Sequence, residues 1–178
     1  RDPLGLNFSH RRVTVSTVGV PETLETCARS ELASLAVSLH APDQSLRAEL
    51  MPRAARLMPL ADLMSVLQSI PLKPRQRITI EYILIKGVND SVQQAKDLHR
   101  LLSGLKCKIN LICFNPGGGI DFQAPAMEDI LRFEQVLWDK GQTVILRKSK
   151  GQDIHAACGQ LIDKQFSPAS GRAEQERQ

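Results

Sequence analysis

Near the carboxyl end, the segment GQDIHAACGQL, Gly151 to Leu161, sets one thiol, Cys158, between Ala156, Ala157 and Gly159. A thiol that reacts must be reachable and able to ionise. The small neighbours leave room around the sulfur, and Lys148, Lys150 and His155 bring positive charge that favours a thiolate. The same residues also suit a cysteine at a tight helix start, and spacing alone leaves both readings open. The remaining thiols read differently. Cys107 and Cys113 sit in or beside an apolar run as small buried hydrophobes, and Cys27 falls on a helical pattern. Without a CxxC, or Cys and His at zinc-finger spacing, no structural metal or disulfide framework is expected.

Something must position Cys158, and the periodicity of the chain says what. Strands are predicted at Arg12–Thr17, Ser34–Leu39, Arg77–Ile85, Lys108–Phe114 and Thr143–Lys148. Helical patterns lie between them: PETLETCARS with Pro21 first, LADLMSVLQSI, SVQQAKDLHRLLSGL and MEDILRFEQVLWDKG. In the third of these, Leu98, Leu101, Leu102 and Leu105 form one apolar stripe, with Lys96 and Arg100 outside it. The resulting order, βαβαβαβαβ, predicts an α/β fold with parallel neighbours joined by right-handed crossovers. In such folds ligand chemistry gathers at the carboxyl ends of the strands. Those ends carry Ser16-Thr17, Ser38-Leu39-His40, Gly87-Val88-Asn89-Asp90 and Asn115-Pro116-Gly117-Gly118-Gly119, and Cys158 follows the last strand. Ser16 and Ser38 equally suit helix caps, and Asn115-Pro116 is a turn signal whatever else it does.

Composition limits the partners. At 178 residues and 42% hydrophobic content the chain can bury one core, as a single domain or part of a larger one. Its first residue is Arg1, so a piece of a longer protein is expected. No run of about 18 apolar residues and no leader-like start is found, which points to a cytoplasmic protein without a membrane partner. A net charge of +4 permits a polyanionic partner, while only 4% aromatic residues argue against a base-stacking platform. The phosphate-loop patterns GxGxxG and GxxxxGK[ST] are absent.

Taken in order, RRVTVSTVG, LAVSLHAPDQSLRAELMP, RITIEYILIKGVND, INLICFNP and LRKSKGQDIHAACGQL resemble the carboxyl-terminal half of the radical-SAM adenine-C2 RNA methyltransferases, the RlmN family. Its Cfr-type relatives methylate adenine C8. The likeness runs from Arg11 to Leu161 and implies the later strands of a partial, TIM-like radical-SAM β/α barrel. Residues 1–10 then read as a remnant of the upstream barrel, 11–164 as its carboxyl-terminal part, and 165–178 as a disordered polar tail.

The resemblance also implies site residues. Ser16, Ser38, Leu39, His40 and Asn115 would contact S-adenosylmethionine, and Cys158 would be S-methylated and then carry the carbon onto RNA. Adenine C2 is a poor nucleophile, so the family makes a radical of the S-methyl group and then cleaves the protein–RNA thioether with a second cysteine. Implied partners are 23S rRNA, tRNA and an electron donor, with a monomeric full-length enzyme. Lys73, Arg75, Arg147, Lys148 and Lys150 are candidates for phosphate contacts or solvated surface charge.

Departures from the family pattern bear on activity. The CxxxCxxC motif for the [4Fe-4S] cluster, the glycine-glutamate segment, the amino-terminal RNA-binding part with its catalytic acid, and the resolving cysteine do not occur in these residues. No metal ligands are therefore assigned, and activity is expected only from a longer protein. The rival readings are a non-catalytic RNA-binding or scaffold remnant, a C8 methyltransferase, and a thiol enzyme pairing Cys158 with His155, which lacks a third group to orient the base.

Overall fold

In a computed structural model, the structure describes residues 12–30, 33–116 and 121–147. Five strands form one sheet in the order β1-β2-β3-β4-β5, with every neighbouring pair parallel. They are β1 (Thr14–Thr17), β2 (Ser34–Ser38), β3 (Ile78–Leu84), β4 (Cys107–Cys113) and β5 (Val144–Arg147). Strand order that follows chain order, with a helical crossover each time, is the pattern of a β/α barrel segment. The helices are α1 (Pro21–Ser30), α2 (Gln44–Leu50), α3 (Pro52–Leu57), α4 (Leu60–Ser69), α5 (Val92–Leu101) and α6 (Met127–Asp139).

Alternation along the strands sorts side chains onto two faces. Val37, Ile80, Ile109 and Val144 are register partners in one row, and all four are buried. Tyr82, Leu111 and Leu146 form the next row on that face. These residues join Leu24 of α1, Leu63 and Leu67 of α4, Leu98 of α5, and Ile130, Phe133 and Leu137 of α6 in a single core. The opposite face mixes polar and apolar residues: Ser16, Ala36, Thr79 and Lys108 make one register row, and Ser38, Glu81, Asn110 and Ile145 the next.

Local signals explain most element ends. Ser91 and Gln94 form a reciprocal capping box at the start of α5. The leucine stripe expected there holds, with Leu98 and Leu102 fully buried. The second crossover departs from the expected single helix, because α2 and α3 precede α4. Asp43 caps α2 by accepting from the Leu46 N–H at 2.9 Å, and Pro52 opens α3, where a missing N–H costs nothing.

This crossover is held by Arg47, which is fully buried and meets carbonyls rather than a carboxylate. Its Nη1 donates to Met58 O at 2.8 Å and its Nη2 to Val18 O at 2.9 Å, joining α2 to the α3–α4 turn and to the loop after β1. Gly19 sits against this contact with a φ of 102°, and a Cβ there would lie 3.2 Å from Leu63 Cδ1.

Phe133 is completely buried, its ring centroid 5.5 Å from that of Tyr82. Phe133→Ala is expected to lower unfolding free energy by about 3–5 kcal/mol, since rigid strands on one side prevent collapse of the cavity. Chemical denaturation measures this, and a loss below about 1 kcal/mol would contradict the packing described.

Candidate functional site

Because all five strands are parallel, their carboxyl ends lie along one edge of the sheet. At the end of β1, Thr17 and not Ser16 closes the following turn. Its Oγ1 accepts from the N–H groups of Gly19 at 3.1 Å and Val20 at 3.2 Å. Ser16 is exposed on the face opposite the core, one row from Ser38. The cap of α2 is Asp43, so Ser38 is not spent on capping that helix. Leu39 is buried in the core, and its N–H continues the ladder to Glu81 O at 3.0 Å.

His40 has an uncommon backbone, with a φ of 59° in the left-handed region. For a residue with a Cβ this costs roughly 1–3 kcal/mol and persists only where neighbours hold it. Two contacts do so. The imidazole Nδ1 accepts from the Ile83 N–H at 3.1 Å, and the His40 carbonyl accepts from Asn89 Nδ2 at 2.8 Å. An Nδ1 that accepts leaves the proton of the neutral ring on Nε2. Burial, and then the positive charge of Arg47, lower the pKa of His40 to about 4, so the ring is neutral at pH 7. The described residues give its Nε2–H no partner, and it can donate to a ligand acceptor.

Asn115 is buried just beyond β4, after Phe114 N–H has closed the ladder to Leu84 O at 3.1 Å. Asn89, expected from strand order as one of several polar groups at the strand ends, is fully buried and internally committed. The glycine run Gly117–Gly119, Lys148, Lys150, His155 and Cys158 lie outside the described residues.

Two polar residues escaped the sequence reading. Glu81 and Asn110 share a register row with Ser38, and Asn110 Nδ2 donates to Glu81 Oε2 at 2.8 Å. Their signal was a polar residue inside each apolar strand, ITIEYIL and CKINLIC, at the parity of the face opposite the core. The basic candidates divide. Lys73 and Arg75 precede β3, at the amino edge and away from the strand ends that carry His40 and Asn115, whereas Arg147 ends β5 and is exposed. Lys73 O also accepts from Lys106 Nζ at 3.1 Å on that far edge.

The described thiols are poor nucleophiles. Burial pushes Cys107 up to about 11 against a smaller opposing effect of Arg77, and burial also raises Cys27 and Cys113.

The His40 shift makes a pH prediction. Its folded pKa is about 4 against an ordinary 6.5, so the unfolded chain binds the proton more readily. The associated stability is complete above pH 6.5 and is lost as pH falls toward 4. The loss is at most roughly 3 kcal/mol. Denaturation of the wild type and His40→Gln at pH 7 and pH 4.5 should show a steeper acid loss in the wild type; parallel losses would refute a buried neutral ring.

No protein-family model matches the chain. Individual proteins do. The chain is 55% identical over 172 residues to the dual-specificity RNA methyltransferase RlmN of Nitratidesulfovibrio vulgaris strain Miyazaki F, a match covering 97% of this chain and 47% of that protein. With the RlmN of Oleidesulfovibrio alaskensis it shares 59% identity over 161 residues, 89% of this chain and 45% of the relative. A solved radical SAM methyltransferase from Sphaerobacter thermophilus superposes with a TM-score of 0.84 at 44% identity, over 89% of this chain and 47% of that one. A domain of pyruvate-formate lyase-activating enzyme from Bacteroides vulgatus has the same fold, with a TM-score of 0.57 at 21% identity. The chain thus spans about half the length of the curated relatives it matches. With about half of all positions identical across nine-tenths of its residues, and the α/β segment shared with the Sphaerobacter methyltransferase, the chain belongs to the RlmN family of radical-SAM methyltransferases.

Proposed function

We propose that this chain is the carboxyl-terminal part of an enzyme that methylates adenine C2 in 23S rRNA and tRNA. In this reading it contributes one wall of the S-adenosylmethionine site, built from Ser16, Ser38, Leu39, His40 and Asn115, together with the methyl-carrying Cys158. The observation that carries the reading is the polar strand-end wall. Ser16 and Ser38 occupy successive rows of the face opposite the core, and His40 beside them is a neutral ring with an Nε2–H to donate. A nucleoside with ribose oxygens, ring nitrogens and an amino-acid carboxylate matches such a set of hydroxyls and one fixed donor.

The fit differs for the [4Fe-4S] cluster. Among the described residues no group of three His, Cys, Asp or Glu could hold a metal ion; Cys27 lies on α1, and Cys107 and Cys113 stand at opposite ends of β4. No step is therefore assigned to a cluster on these residues. When bound, S-adenosylmethionine supplies an electrophilic methyl group. Cys158 supplies the sulfur that accepts it, and its chain neighbours Ala156, Ala157 and Gly159 are small, as a sulfur that meets first a cosubstrate and then a base requires. Arg147, exposed at the carboxyl edge, is suited to an RNA phosphate. No helix among the described residues is long and apolar enough to cross a membrane. We place the protein in the cytoplasm as a monomer supplied with electrons by a separate reductant.

The test uses the protein at the length of its relatives, purified with its cosubstrate. Mass spectrometry should find a methyl group on Cys158, and nucleoside analysis of treated 23S rRNA should find 2-methyladenine. Cys158→Ala should retain the wild-type melting temperature, because a small side chain leaves little cavity, and should lose methylation by at least about a thousandfold. Methyl on another cysteine, 8-methyladenine as product, or normal turnover by the variant would overturn the reading.

A further inference from the structure

The ladder between β2 and β3 ends with a side chain substituted for a backbone group. Leu39 N–H donates to Glu81 O at 3.0 Å, so in a continuing parallel ladder the Ile83 N–H would meet the Leu39 carbonyl. It meets His40 Nδ1 at 3.1 Å instead. The chain must turn at His40 for its ring to reach that position, which accounts for the φ of 59°.

Asn89 holds that turn from the other side. Its Nδ2 donates one hydrogen to His40 O at 2.8 Å and the other to Ile83 O at 2.6 Å. Its Oδ1 accepts from the Ile85 N–H at 2.7 Å, and its own carbonyl accepts from the Tyr82 hydroxyl at 3.1 Å. The residue is fully buried with its side-chain donors and acceptor engaged, so the amide has one orientation. His40 and Ile83 are thereby tied together twice, once through the imidazole and once through the Asn89 amide.

We infer that Asn89 is a positioning residue for the cosubstrate site: it holds the left-handed turn at His40 and the ring against Ile83 N–H, so that Nε2 is presented as a fixed donor to an acceptor atom of S-adenosylmethionine. This rests on the site reading above and extends it to a residue outside the site. Asn89 touches no ligand and acts through His40. Gly87 and Asp90 shape the turn that delivers it, with Gly87 at a φ of 68° and its N–H donating to Asp90 Oδ1 at 3.0 Å.

Asn89→Asp is the informative variant, because it keeps the shape and the acceptor for Ile85 N–H but removes both donors. Asn89→Ser, which retains one donor, is the second. The intact protein, labelled with 15N at histidine, is read by two-bond proton–nitrogen correlation, which identifies the ring nitrogen carrying the proton. Amide exchange at Ile83 and calorimetric affinity for the unreactive product S-adenosylhomocysteine complete the set. Wild type should show the Nε2–H tautomer alone and a protected Ile83 amide. Asn89→Asp should show mixed tautomers, rapid Ile83 exchange and a tenfold or greater loss of affinity, with Asn89→Ser between them. Leu98→Ala, destabilised on the core side of the sheet, should keep both tautomer and affinity, which separates positioning from general loss of stability. Variants at Asn89 that keep the single tautomer overturn the proposal. Loss of the tautomer at unchanged affinity overturns the link to the ligand. A wild type with no affinity overturns the site reading and the proposal with it, and the tautomer signal distinguishes that outcome from failure of the clamp.

Discussion

A strand in a parallel sheet cannot turn one side chain to the other face without moving its whole set by one residue. Here that constraint acts on a chain whose core row, Val37, Ile80, Ile109 and Val144, is apolar across four strands. Once that row is buried under α1, α4, α5 and α6, the alternate positions are committed to the other face. Ser16, Ser38, Glu81, Lys108 and Asn110 therefore stand where they do as a consequence of the core. Fully buried parallel strands usually read as continuous apolar runs. The polar alternates in β3 and β4 show a face used for something other than packing.

The strand ends are set by a second constraint, the need to satisfy backbone groups where the ladder stops. Three side chains take over from the sheet. Thr17 receives two amides after β1, His40 receives the Ile83 amide, and Asn89 serves one amide and two carbonyls. Arg47 does the same at longer range, binding carbonyls of two loops with a guanidinium from which water is excluded. Burial disfavours its charge, and the same charge helps to keep His40 neutral. A cation that shapes loops and a histidine that donates from Nε2 are in this way coupled through one field.

What the sequence made legible follows from how local each signal is. The five strands were readable to within two residues at either end because Val, Ile and Leu alternate within them, and α1, α4, α5 and α6 because their stripes are regular. The short α2 and α3 span seven and six residues, too few to show a period; only Asp43 and Pro52 marked their starts. Ser16, Ser38, His40 and Asn115 were singled out because strand ends in α/β folds are where ligands meet the chain, and the resemblance named the same positions. The conformation of His40 was not legible, since its turn depends on Asn89, 49 residues away. The role of Arg47 was not legible either, because nothing near it in the chain announces the carbonyls of Val18 and Met58. Lys73 and Arg75 read equally as phosphate contacts or as solvated surface charge; their edge of the sheet depends on strand direction, which charge does not encode.

The combination has a consequence for binding. A loop that acquires its shape only on meeting a ligand must give up conformational freedom at that moment, and affinity falls accordingly. At the carboxyl edge of β2 and β3 that ordering is already complete in folding, because the strained turn at His40 is tied to buried groups whose hydrogen-bonding capacity is used within the protein. The Nε2–H therefore belongs to a donor whose direction and protonation state are fixed before a ligand arrives. Preorganised dipoles of this kind stabilise bound charge without further reorganisation. The polar row beside it, Ser38, Glu81 and Asn110, remains partly accessible, so the rigid part of this edge is the part built on the core.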